Sequence, residues 1–217
     1  AYHILVASSP ELLEQGKGDI WDSGKIESDA SQWIAYQGKT LKRNAPYYWK
    51  VKIDTNKGTT DWSTPAFWTT GLFNEADWQG QWIGLDKAAP GDSETQWSRL
   101  AARYLRKEFA LKKEVKRATV HIAGMGLYEL FINGQRIGNQ VLAPAPTDYR
   151  KTILYNTYDV TSLLQTENAI GVTLGNGRFY TMRQNYKPYK IPTFGYPKLR
   201  LNLIVEYADG SKETIAT

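Results

Sequence analysis

Leu199-Arg200-Leu201-Asn202-Leu203-Ile204-Val205-Glu206-Tyr207-Ala208-Asp209-Gly210 sets apolar side chains at nearly every second position and then runs into a turn dipeptide. Successive side chains of an extended chain point to opposite faces. Leu199, Leu201, Leu203, Val205 and Tyr207 therefore share one face, and Arg200, Asn202 and Glu206 take the other. Asp209-Gly210 supplies the positive φ angles of a tight hairpin. The same period of two recurs at Tyr47, Trp49, Val51 and Ile53, which alternate with Tyr48, Lys50, Lys52 and Asp54 before a Thr55-Asn56-Lys57-Gly58 turn. It recurs again at Val120 and Ile122, then at Tyr128, Leu130 and Ile132, which end on Asn133-Gly134. One short helical turn is predicted over Asp159–Leu164, with Asp159 or Thr161 as its cap. The chain reads as all-β.

At 217 residues, with a usual domain size of about 100–200, one or two domains fit. Apolar residues make up 41% and charged ones 23%, which excludes a disordered or fibrous chain. Cysteine is absent, so disulfides, thiol catalysis and thiolate metal sites are excluded. Two histidines argue against a zinc centre or a Ser-His-Asp arrangement, and no apolar run nears the roughly 20 residues of a membrane span. With 8 Trp, 14 Tyr and 6 Phe, composition points to binding or scaffolding rather than catalysis. Patterning pauses over Gly71–Asp77, which divides the chain into a domain at 1–74 and another at 75–217. The chain opens in strand-like Tyr2–Ala7 without a leader and stops in strand-like Glu213–Thr217, so it reads as a piece of a longer protein whose first strands are missing. A periplasmic or extracellular placement is favoured over a cytoplasmic one.

Residues 1–71 resemble the fibronectin type III-like domain that begins many bacterial glycosidases. The likeness rests on Tyr2–Ser9, Trp21-Asp22-Ser23-Gly24-Lys25, Tyr47–Val51 and Trp62–Phe67. From Trp78 onward the chain resembles the N-terminal β-sandwich of bacterial α-L-rhamnosidases. That likeness is carried by Tyr104–Phe109, Ala118–Ile122, Gly126–Gly138, Leu142-Ala143-Pro144, Thr147–Lys151, Tyr155–Thr161, Asn168–Val172 and Gly175-Asn176-Gly177, in this order. The resemblance implies an incomplete fibronectin type III or immunoglobulin-like sandwich followed by a jelly-roll-like, galactose-binding-like one. It also implies a parent hydrolase that removes terminal L-rhamnose from plant glycans through a helical barrel further downstream, where paired carboxylates act as acid and base. The present chain is then inactive by itself, a scaffold with a carbohydrate-binding role as a further expectation. The alternative is an adhesion or structural sandwich pair with no enzyme attached.

Some members of that family bind rhamnose with calcium on such a sandwich. Sugar hydroxyls need paired donors and acceptors, and the apolar sugar face needs a ring. The candidates are Asp148 and Tyr149 after Pro144, and Asn176, Arg178 and Tyr180 at and after the Gly175–Gly177 turn. Tyr186, Tyr189, Phe194 and Tyr196 extend the aromatic set as a sugar platform or as packing against a downstream domain. Asp148 and Asn176 are the candidate calcium ligands; no other cofactor is required. Asn176 reads first as a turn residue adopting positive φ and only second as a ligand; Asp148 reads first as a loop or capping carboxylate, and Arg178 reads also as half of an ion pair. A basic run of Arg103, Arg106, Lys107, Lys112, Lys113, Lys116 and Arg117 raises nucleic acid as a partner. Glu108 and Glu114 interrupt it and strand alternation splits it between faces, so a solvated surface is the reading taken.

Overall fold

The computed structural model describes residues 1–92, 99–180 and 194–217. They form two compact units, Ala1–Phe73 and Asn74–Thr217. Among the described residues no helix is long and apolar enough to cross a membrane.

The first unit is one antiparallel sheet. Its strands are β1 (Tyr2–Ala7), β2 (Trp21–Asp22), β3 (Pro46–Thr55), β4 (Gly58–Thr59) and β5 (Ala66–Thr69), with a short helix α1 (Pro10–Glu14) after β1. The order is β2-β1-β3-β4, and β5 also pairs with β3. Ile4, Val6 and Tyr47 pack with Trp49 and Val51 against Ile34 and Leu41, which come from the irregular segment between β2 and β3. That segment, not a second sheet, is the covering layer on this face. Leu5 and Ala7 on the opposite face pack on Leu13 of α1 and on Trp62. Both faces are thus used, and Lys50 is buried although alternation puts it on the polar side. Its ammonium group donates to the Leu13 carbonyl and sits 5.0 Å from the centre of the Trp62 ring, so burial leaves the charge hydrogen-bonded and over a π face.

The second unit is a β-sandwich. Its strands are β6 (Ile83–Gly84), β7 (Arg103–Ala110), β8 (Val115–Met125), β9 (Leu127–Ile132), β10 (Gln135–Ile137), β11 (Tyr155–Asp159), β12 (Glu167–Gly175), β13 (Lys198–Tyr207) and β14 (Lys212–Ala216). One sheet runs β10-β9-β12-β7; the other runs β11-β8-β13-β14, with β6 also on β13. Val120, Ile122, Leu199, Leu201, Leu203 and Val205 from one sheet meet Leu130, Ile132, Ile170, Val172 and Leu174 from the other. The Asn133-Gly134 turn between β9 and β10 carries φ angles of 50° and 81°, the left-handed pair that matches strand twist in a two-residue hairpin. The Asn133 carboxamide also accepts from the Ala169 amide at 2.9 Å and donates to the Leu163 carbonyl at 2.9 Å, tying the turn to neighbouring chain. Over Asp159–Leu164 a single 3-10 turn forms at Thr161–Leu163, with the Asp159 carboxylate accepting from the Thr161 amide at 2.9 Å.

The face of β13 that alternation assigns to solvent is covered. Arg200 and Asn202 are 7% and 0% exposed, because the chain from Asn74 to Gln81 lies across them. The Asn202 side chain accepts from the Gly80 amide at 2.8 Å and donates to the Asp77 carbonyl at 3.2 Å. Arg200 donates from Nε to the Gly80 carbonyl at 2.7 Å, pairs with Glu75 and lies 5.2 Å from the Trp78 ring centre. The approach is so close that a Cβ at Gly80 would fall 2.5 Å from the Leu201 carbonyl oxygen. Trp78 meets the edge of Tyr155, Tyr155 meets His121, and His121 is paired in register with Asn202. A second packed layer, aromatic and polar, therefore backs this sheet.

Candidate functional site

The loop between β10 and β11 returns beside β9 through the Tyr128 amide, which donates to the Ala143 carbonyl at 2.8 Å. Past that tether lies Asp148. Both of its carboxylate oxygens accept from the Arg150 guanidinium, at 2.9 and 3.0 Å, and Arg150 holds the carboxyl below its ordinary range. The next residue, Tyr149, places its ring edge-on against Phe179 (5.2 Å) and Phe194 (5.3 Å). Among the described residues its hydroxyl is buried without a hydrogen-bond partner. Burial raises the Tyr149 pKa, and the nearby positive charge of Arg178 opposes that rise.

Asn176 follows β12. The positive φ of this turn falls on Gly177, at 51°, and not on Asn176. Asn176 instead acts through its side chain, donating from Nδ2 to the Leu100 carbonyl at 2.8 Å, while Oδ1 is buried without a partner among the described residues. Arg178 is exposed. Tyr180 stacks on Tyr196 with ring centres 5.8 Å apart. Tyr149, Phe179 and Phe194 thus form one aromatic cluster and Tyr180 with Tyr196 a second; Tyr186 and Tyr189 lie outside the described residues.

Phe179, Phe194 and Tyr196 also line a cavity of about 430 Å³, together with Trp82, Asp86 and Lys198. Asp86 and Lys198 pair at 3.1 Å. Aromatic rings beside a carboxylate and an ammonium group are groups that pack and hydrogen-bond a sugar ring. Asp86 is the one carboxylate among the described lining residues, whereas glycoside hydrolysis uses two carboxylates as acid and base. Trp82, Asp86 and Lys198 are not among the residues that sequence reasoning singles out. They sit in or beside β6 and β13, and no local motif marks them.

Among the described residues, the side chains beside Asp148 do not assemble a set of oxygens for a calcium ion. Calcium takes six to eight oxygen ligands, largely carboxylate and carbonyl, and both oxygens of Asp148 are already taken by Arg150. No group of three acidic or histidine side chains able to hold a metal occurs among the described residues. Much of the basic run is likewise engaged. Arg103 pairs with Asp92 at 3.2 Å, Lys113 with Asp209 at 2.9 Å, Arg117 with Glu206 at 3.8 Å, and Arg106 with Glu108.

Residues 1–74 match the model of the Rha78A-like N-terminal immunoglobulin domain, and residues 113–217 that of the α-L-rhamnosidase N-terminal domain. An α-L-rhamnosidase of Formosa agariphila is 39% identical over 98% of this chain and 24% of its own length. One from an Alteromonas species is 32% identical over 100% of this chain and 24% of its own. The solved α-L-rhamnosidase from Dictyoglumus thermophilum superposes with a TM-score of 0.87 at 40% identity, covering 100% of this chain and 24% of that one. The chain spans about a quarter of the length of these relatives. With one N-terminal domain type following the other along a single polypeptide, the chain belongs to the α-L-rhamnosidase family and consists of N-terminal domains of that family.

Proposed function

We propose that these two units form a non-catalytic N-terminal part of an α-L-rhamnosidase and brace a catalytic region supplied by further polypeptide. The observation that carries this reading is the match of both units, in chain order, to domains named as N-terminal in that family. Terminal α-L-rhamnose on plant glycans is then the substrate of the whole protein, and inverting hydrolysis by two carboxylates belongs to its downstream region. The purified 217-residue chain is expected to release no aglycone from an aryl α-L-rhamnoside above a buffer blank, while the longer natural protein releases it. Turnover by the short chain overturns the assignment of catalysis to the downstream region. A longer protein without rhamnosidase activity supports the adhesion or structural reading instead.

A second reading is favoured by the Tyr149 hydroxyl and Asn176 Oδ1, both buried without a partner among the described residues. A buried polar atom without a partner costs about 1–3 kcal/mol, and a ligand hydroxyl would offset that cost. On this reading the loops carrying Asp148, Tyr149, Asn176, Arg178 and Tyr180 hold a rhamnose-containing glycan. Calorimetric titration with L-rhamnose is expected to give saturable heat, equal with calcium and with chelator, and weakened by Tyr149→Phe. Absence of heat in both conditions leaves scaffolding as the role of these loops, and heat only with calcium reverses the judgment on Asp148 and Asn176.

A further inference from the structure

The two sheets of the second unit close on each other unevenly. Between β7, at the edge of one sheet, and β14, at the edge of the other, lies a cavity of about 270 Å³. Its walls are mainly aliphatic: Leu105 from β7, Ile170 and Val172 from β12, Leu199 and Leu201 from β13, and Ile215 from β14. β7 pairs with β12 through eight consecutive residues, from Arg103 to Ala110, and no strand pairs with its other edge among the described residues. Leu105 is only half-buried and Tyr104 is 83% exposed. Lys107, on the same inward side of β7 as Leu105, reaches across the opening and donates to the Ala216 carbonyl at 2.6 Å. An inward-pointing lysine on an open edge strand is a device that keeps such an edge from pairing with a foreign chain.

We propose that the outer edge of β7 receives one further antiparallel or parallel strand from the same polypeptide, in the part of the protein that the relatives possess beyond this quarter of their length. Main-chain hydrogen bonds to β7 would supply the pairing, and apolar side chains at every second position would fill the opening over Leu105 and Ile215. An occupant from the same polypeptide agrees with the lysine guard. The guard discourages pairing between molecules at ordinary concentrations, whereas a tethered strand acts at a much higher effective concentration. The proposal rests on the reading that more polypeptide accompanies these domains.

The chain holds no cysteine, so Leu105→Cys places a single thiol in the opening. Lys57→Cys, in the exposed turn before β4, serves as a control. Maleimide labelling of the Leu105→Cys thiol is expected to be at least ~10-fold slower in the longer natural protein than in the 217-residue chain, with equal labelling of the control. Amide exchange along β7 in the unsubstituted proteins, slower in the longer one, gives the same reading without any substitution. Equal labelling and exchange in both proteins overturns the proposal. Slow labelling in the short chain alone, accompanied by a doubled mass in solution, makes the occupant a second copy and overturns it as well. A longer protein that hydrolyses rhamnosides yet leaves the Leu105→Cys thiol open fails this proposal while keeping the proposed function; one without that activity fails the latter.

Discussion

Arg200→Met is expected to lower the unfolding free energy of residues 74–217 by about 3 kcal/mol in urea melts, since the substitution leaves buried carbonyls without donors. The methionine restores much of the aliphatic volume, so the loss isolates the polar contacts. Arg200 lies 7% exposed between β13 and the covering chain. Its guanidinium satisfies the Gly80 carbonyl and stands 5.2 Å from the Trp78 ring. Glu75, the acidic partner, is 82% exposed, so Glu75→Gln should cost less than about 1 kcal/mol. That contrast is the check. If Glu75→Gln proved as damaging as Arg200→Met, the ion pair rather than the carbonyl latch would hold the segment.

Acidification from pH 6.5 to about 4 is expected to remove about 3 kcal/mol from the same unit, with His121→Gln flattening the slope. His121 is 0% exposed, shares a hydrogen bond of 3.0 Å with the Thr157 hydroxyl and meets the Tyr155 ring edge-on. Burial, aided by the positive charge of Arg117, pushes its pKa from 6.5 down to about 4. Between those two values the unfolded chain binds a proton that the folded one refuses. Stability therefore falls as pH drops through this window and is full above it; each pKa unit is worth about 1.4 kcal/mol. The lowered carboxyls of Asp148 and Asp209 lose their contribution only as pH falls below the ordinary carboxylate range. Thermal melts between about pH 7 and 4.5 consequently separate the imidazole from the acids. A wild-type slope unchanged in His121→Gln would sink the assignment.

Legibility follows periodicity. The inner faces of β8, β9 and β13 and the turns at Asn133-Gly134 and Asp209-Gly210 can be read from alternation and turn chemistry, since two packed sheets select for those patterns. What alternation cannot show is what covers the other face. Arg200 and Asn202 occupy outward positions and read as solvated, yet the aperiodic stretch Asn74–Gln81 buries them. Lys50 departs from its polar position for the same reason, because α1 and Trp62 come from segments that carry no strand pattern. The helix itself escapes a periodic reading. Its signal, Ser9 followed by Pro10 and Glu11 in the first turn, is one that suits helix starts but spans only five residues. At the candidate site, Tyr149, Tyr180, Phe194 and Tyr196 stand out in the sequence as an aromatic group, whereas the ring pairings and the Asp148–Arg150 bond depend on loop conformation.

The pairing of β8 with β13 has a consequence for biosynthesis. These strands exchange the most extensive ladder of the second unit, yet His121 and Asn202, which face each other in it, are about 80 residues apart in the chain. At roughly 5–20 residues per second of translation, β8 emerges from the ribosome some 4–16 seconds before its partner. During that interval β8 lacks its neighbour β13, so the sheet that carries Val120 and Ile122 is incomplete and the sandwich cannot close. The first unit has all of its strands within residues 2–69 and can fold while the second is still being made. The nascent second unit is the stage at which a chaperone would find apolar strand to hold.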